Sequence, residues 1–246
     1  MKGNMLEFQR GIWITEFTQD MGYIIRRMQD RDIPQAIEID REAFPSQWPH
    51  PTYSSLKQEL RNRLARYIVV CKQNESHLEA VEQNTGNNGF WQRLLQLRHL
   101  FDHDRFFGEE MPPPSKEHIL AIAGFWVMVG EAHITTIAVR NAYRRQGIAE
   151  WLLISVIDMA AELEANMVTL EVRVSNRQAQ ALYEKYGFQK VGVRRGYYSD
   201  DGEDACLMTT EPITSSAFQL LFHRLKEGHQ HKRRGLYPQY ETPKSL

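Results

Sequence analysis

The sequence predicts an α+β fold, α/β in its central part, and three stretches carry that prediction. Residues 134–188 read strand, basic glycine turn, helix, strand, short turn, helix, glycine stop. Residues 118–140 hold two strongly apolar strand candidates around a Gly130-Glu131 turn, an antiparallel hairpin. Residues 189–194 and 205–210 form a second hairpin pattern around the polar loop SDDGED. With 246 residues, 42% of them hydrophobic, the chain can bury a core of one domain with additions. The 30 lysines and arginines nearly balance 31 aspartates and glutamates, which argues against a surface given over to nucleic acid. Cys71 and Cys206 are too few for a disulfide framework and lack metal-type spacing, so reduced thiols in a cytoplasmic protein are expected. No apolar run reaches the ~20 residues of a membrane span. The N-terminal MKGNMLEFQRGIW also lacks the apolar region of a secretion signal.

Taken in order, residues 1–21 have weak periodicity and read as an N-terminal arm. GYIIRR at 22–27 is a strand candidate. Asp30-Arg31-Asp32 with Pro34 signals a helix start, and Ile33, Ala36, Ile37, Ile39 and Ala43 give that helix an apolar side up to Pro45. The loop PSQWPHP follows, and its Trp48 is a candidate for lining a site. A second helix starts at Thr52 and runs through Leu56, Leu60 and Leu64; RYIVVCK at 66–72 is the next strand. Residues 73–117 read as an insertion, with the turn-rich NTGNNG, one helical pattern from Trp91 to Phe101, and the break MPPP. After the second hairpin, the tail 211–246 contains one helix, SSAFQLLFHRL, and ends in the basic polar run EGHQHKRRGLYPQYETPKSL, expected to be mobile.

The chemistry concentrates in the central unit. The turn Arg144-Arg145-Gln146-Gly147-Ile148-Ala149 stands where a strand hands over to a helix. Backbone N–H groups at a helix start are unpaired, carry partial positive charge and attract anions. Two arginines beside them strengthen the attraction for phosphate. The helix is expected to pack Ile148, Trp151, Leu152, Ser155, Val156, Met159 and Leu163 on the sheet. In the next strand Val168, Leu170, Val172 and Val174 alternate with Thr169, Glu171 and Arg173. Glu171 is therefore either a salt-bridged strand residue or, where partly buried, a general base. Ser175-Asn176 can cap the following helix and Gly187 can end it. In that helix Ala179, Leu182 and Tyr186 pack inward, and Tyr183, one position round, reads as core filler or as an acid.

These strings together resemble the GNAT superfamily of N-acetyltransferases. The resemblance rests on Ile137-Ala138-Val139, Arg144 to Ala149, Leu170-Glu171-Val172-Arg173, Ser175-Asn176 and Ala181 to Phe188. Within the superfamily the chain is most similar to the ribosomal-protein-alanine N-acetyltransferases, the RimI type. The added strings are Ala43-Phe44-Pro45 with Trp48, and Arg194-Arg195-Gly196-Tyr197-Tyr198 followed by Asp200 to Ala205. The similarity covers residues 22–210 apart from the insertion, which marks an acetyltransferase domain between the arm and the tail. It implies a twisted mixed sheet with flanking helices and acetyl-CoA held where the fourth and fifth strands splay. By the same resemblance Ile137, Ala138 and Val139 offer backbone groups to the pantetheine arm. Arg144, Arg145, Gln146, Gly147, Ile148, Ala149 and Glu150 wrap the diphosphate, and Asn176 hydrogen-bonds the cofactor. Glu171 matches the family's proton acceptor and Tyr183 its proton donor, while Trp48, Tyr197 and Tyr198 border the acceptor groove. The large insertion is the departure from the family pattern.

The expected function is acetylation of a protein N-terminal α-amine, a small-subunit ribosomal protein with N-terminal alanine first among acceptors. Two readings stand beside it: transfer to a small amine or a lysine side chain, and a non-catalytic CoA-binding module. His99 and His103 at i, i+4 have no third ligand partner in the sequence, so a solvated helix face is expected and no metal. The run His229, His231, Lys232, Arg233, Arg234 reads as a soluble tail, with contact to RNA as its alternative. The protein partner is a peptide; neither a membrane nor direct nucleic-acid binding is expected.

Overall fold

A computed structural model describes residues 22–46, 49–72 and 117–236. Among them seven strands form one sheet: β1 (Tyr23–Arg27), β2 (Ala65–Lys72), β3 (Ile119–Met128), β4 (Glu131–Val139), β5 (Met167–Arg173), β6 (Phe188–Arg194) and β7 (Ala205–Thr210). Their order is β1-β2-β3-β4-β5-β7-β6, and every adjacent pair is antiparallel except β4–β5. A parallel pair needs a crossover, and the helix α3 (Ile148–Glu162) supplies it. The remaining helices are α1 (Ile33–Ala43), α2 (Tyr53–Arg61), α4 (Arg177–Lys185) and α5 (Ser216–Leu236). The mixed sheet with flanking helices is the architecture that the sequence predicts.

β3 is apolar on both faces because both faces are covered. On one, Ile33, Ala36 and Ile39 of α1 pack over Val69, Cys71, Ile119, Ile122 and Ala138. On the other, Leu152, Leu153, Val156 and Ile157 of α3 pack over Ile68, Val70, Ala121, Ala123 and Phe125. Both cysteines are buried free thiols. Gln35 of α1 anchors the point where the chain returns from residues 73–116, accepting from the Ile119 N–H at 2.9 Å and donating to the Glu117 carbonyl at 2.9 Å. The insertion itself, the 1–21 arm, Trp48, and His99 with His103 lie outside the described residues.

Four local expectations need correction. The α2 helix ends at Arg61, short of Leu64, because Asn62 leaves helical geometry; its start at Thr52 holds, with Thr52 and Ser55 capping each other. The first hairpin turns at Val129-Gly130, both at positive φ (49° and 76°), and Glu131 already belongs to β4. On α3 the buried face includes Leu153, Ile154, Ile157 and Ala160, while Ser155, Met159 and Leu163 are only half-buried. The helix is apolar nearly all round, and α5 supplies a second cover through Phe218 and Phe222. Lastly, α5 runs on to Leu236 through much of the segment expected to be mobile. No helix among the described residues is long and apolar enough to cross a membrane.

Candidate active site

The β4–β5 ladder runs only from Glu131↔Met167 to Ile134↔Leu170. Beyond it β4 continues to Val139 and β5 to Arg173 without pairing, so a wedge opens between them from Thr135 onward. On the β3 side, the Arg140 N–H donates to the Leu120 carbonyl at 2.9 Å. Strand alternation then turns the Ile137 and Val139 N–H groups into the wedge and that of Ala138 toward β3. Of the stretch 137–139, Ala138 therefore has no backbone donor to offer a ligand in the wedge.

At the wide end, Arg144 donates through Nε to the Val139 carbonyl at 3.2 Å. Arg145 and Gly147 take left-handed backbone geometry, φ 65° and 78°. Gly147 is the N-cap of α3, and no side chain caps that helix, so its first N–H groups face outward unpaired by any cap. Arg144 and Arg145 are exposed, and among the described residues neither meets a carboxylate. The turn is thus a cluster of donors and positive charge open to an anion. The Glu150 side chain turns to α4 and takes hydrogen bonds from Lys185 and, at 2.7 Å, from the Tyr186 hydroxyl. Its half-burial pushes the carboxyl up, but those two donors outweigh it and hold the group below its ordinary value.

Where the wedge begins, Glu171 is partly buried, its side chain 7% exposed. Oε2 meets His133 Nε2 at 3.0 Å across the sheet, and Oε1 meets the Arg194 guanidinium at 3.1 Å. His133 is held in turn by the Thr169 hydroxyl at 2.9 Å. The Tyr197 and Tyr198 rings meet edge-on at 5.2 Å beside this carboxylate, and Tyr197 is well exposed. Burial, then the Glu171 charge, raises the Tyr197 phenol; burial, only partly offset by Arg173, pushes Tyr198 up to about 12. Arg173, next strand neighbour but one of Glu171, lies 4.0 Å over the Tyr198 ring and binds Asp200, Asp201 and Glu203 of the β6–β7 loop. It pins that loop beside the site.

On α4, Asn176 accepts from the Ala179 N–H at 3.1 Å, so the capping expectation holds. Tyr183 is buried against Phe188, and burial with a smaller effect of Tyr198 holds its phenol well above the ordinary value. It keeps its proton at neutral pH. Glu171, Tyr183, Tyr197 and Tyr198 are thereby brought to one region, while the glycine turn lies at the far end of the wedge. The sequence reading gives no role to His133, holds Arg194 only within a family string and His229 only within the soluble tail, and foresees none of their contacts with Glu171 or Gly147. Their partners are distant in the chain, and no local pattern announces them.

The model of the Acetyltransferase (GNAT) family matches residues 33–188, more than half of the chain. The chain belongs to the GNAT acetyltransferase family. A Bacillus subtilis relative named as a candidate ribosomal protein bS18-alanine N-acetyltransferase is 30% identical over 184 residues, covering 75% of this chain and 92% of its own. The N-alpha-acetyltransferase of Sulfurisphaera tokodaii is 49% identical over 190 residues, 76% and 91% of the two chains. The Escherichia coli ribosomal-protein-S18-alanine N-acetyltransferase shares the fold, with TM-score 0.54 and 24% identity over 79% of this chain and 96% of that one. The GNAT family uses acetyl-CoA. An uncapped helix start, two exposed arginines that meet no carboxylate among the described residues, and inward N–H groups in a wedge suit a long ligand with a diphosphate at one end. A separate cavity of about 460 Å³, lined by Arg27, Arg61, Arg63 and Arg66 among others, shares no residue with this acetyltransferase wedge.

Proposed function

We propose that this acetyltransferase modifies the N-terminal α-amine of a protein, with a ribosomal protein bearing N-terminal alanine as the first acceptor to test. The observation that carries the reading is the naming of the B. subtilis and S. tokodaii relatives, each matched over most of its length, for α-amine or N-terminal alanine transfer. The exposed Tyr197 beside Glu171 and the pinned 200–203 loop support it as the border of a place for an extended peptide end.

Bound acetyl-CoA supplies the acetyl group as a reactive thioester. Arg144, Arg145 and the backbone N–H groups of Gln146 to Glu150 hold its diphosphate, and Ile137 and Val139 hold the pantetheine arm. Asn176, its Oδ1 engaged in the cap, offers its amide N–H. Glu171 accepts the proton of the attacking amine: each carboxylate oxygen keeps a lone pair besides the one facing His133 or Arg194. A backbone N–H of β4 near Val139 stabilises charge that develops on the acetyl oxygen. Tyr183, protonated, donates to the departing sulfur.

The test is thiol release from acetyl-CoA with an Ala-starting peptide, the same peptide N-terminally blocked, a lysine peptide and spermidine. The reading expects turnover with the free N-terminus alone. Preference for spermidine, or for the lysine peptide with its N-terminus likewise blocked, overturns it.

A further inference from the structure

Helix α5 lies beyond the residues that match the family, yet it is fastened to the cofactor end of the domain. Phe218 and Phe222 are buried in the α3 core and stack 6.0 Å apart. One turn on, Lys226 Nζ reaches both carboxylate oxygens of Asp158 on α3, at 2.8 and 2.7 Å. Next comes His229, 5% exposed, with Nε2 3.1 Å from the Gly147 carbonyl oxygen. A carbonyl only accepts, so Nε2 carries the proton and donates. The same oxygen takes the Trp151 N–H at 2.9 Å, the first rung of α3.

The Gly147 carbonyl and the Ile148 N–H belong to one planar peptide unit and point in opposite directions. Fixing the carbonyl from behind therefore aims the N–H forward, among the donors that face an anion at the start of α3. The fit leaves no slack, since a Cβ on Gly147 would stand 3.2 Å from His229 Nε2. Glu150, the acidic residue of the first turn of α3, lies within electrostatic reach of His229 as well.

We infer that His229 is a positioning residue for the diphosphate-binding turn, carried there by α5 acting as a brace on the N-terminus of α3. The inference rests on the reading of that turn as the CoA diphosphate site. Calorimetric titration of CoA into the full chain tests it. His229→Leu, which fills the space without a donor, is expected to weaken CoA about fivefold, the worth of one net hydrogen bond. His229→Gln, whose Nε2 reaches the same carbonyl, restores most of the affinity, and thermal unfolding without ligand shows both variants folded. An unchanged Kd in His229→Leu, or a Gln variant as weak as the Leu variant, overturns the inference while wild-type binding leaves the cofactor reading standing. Absence of CoA binding by the wild type overturns both. Should His229→Leu fail to fold, Lys226→Met loosens the brace at the surface and is expected to weaken CoA about twofold. An unchanged Kd there contradicts the brace.

Discussion

Replacing Gly147 by alanine perturbs the turn at the start of α3, the proposed diphosphate site, in two separable ways. At φ 78° any L side chain is strained, at a cost of about 1–2 kcal/mol. The added Cβ also meets His229 Nε2 at 3.2 Å, so the ring shifts and its hydrogen bond weakens, about 1 kcal/mol more. The sum is a loss of roughly 2–3 kcal/mol in unfolding free energy. Gly130 supplies the control: its φ is 76° and nothing lies within 4 Å of a Cβ there, so Gly130→Ala carries the strain alone. Urea denaturation of both variants measures the two losses, and CoA titration measures the consequence at the site. The 147 variant is expected to lose about 1 kcal/mol more than the 130 variant, and it alone binds CoA more weakly. Equal losses, or equal CoA affinities, refute the claim that the turn is braced from behind by α5.

Other outcomes follow from the same geometry. Glu171→Gln keeps the shape but removes the proposed proton acceptor, and kcat/KM is expected to fall by about two to four orders of magnitude, most at low pH where free amine is scarce. Tyr183→Phe slows the step in which sulfur departs, so its deficit shrinks with an acyl donor whose thiol has a lower pKa; a uniform deficit across donors contradicts the role. Because the folded-state pKa of Glu150 is depressed, its contribution to stability is present above its ordinary value of 4.5 and disappears as pH falls through the lowered value. Glu150→Gln is therefore destabilised near neutral pH, and the gap to the wild type closes in acid; a gap that widens in acid reverses the sign of the argument. Leu152→Ala empties a fully buried position on α3 and costs about 2–5 kcal/mol by denaturation.

What was legible in the sequence is what local pattern encodes. β7 matches its expected span, Ala205–Thr210, because alternation and the flanking loop mark both ends. The glycine turn, Thr52 as a cap and Asn176 as a cap are local rules of the same kind. The α3 face departs from expectation because a helix apolar on nearly every side has no single stripe, and its second cover is the distant α5, through Phe218 and Phe222, joined to it by the Lys226–Asp158 pair across 68 residues. The full length of α5 was missed because EGHQHKRR has no apolar period; its anchor, His229 on Gly147, spans 82 residues. Glu171 was legible as a mid-strand carboxylate, yet its partners come from β4, next to β5, for His133 and from β6, one strand beyond the neighbouring β7, for Arg194. Only the folded sheet order brings them to one carboxylate.

The central claim is transfer of acetyl to a protein N-terminus, and mass spectrometry of whole-cell N-termini tests it most directly. Cells with the active protein, cells lacking it, and cells carrying only Glu171→Gln are compared for N-terminal acetylation. The account predicts that acetylation of one or a few N-termini, a ribosomal protein's alanine among them, is lost without the protein and stays lost with the Gln variant. Unchanged N-termini across all three strains contradict it.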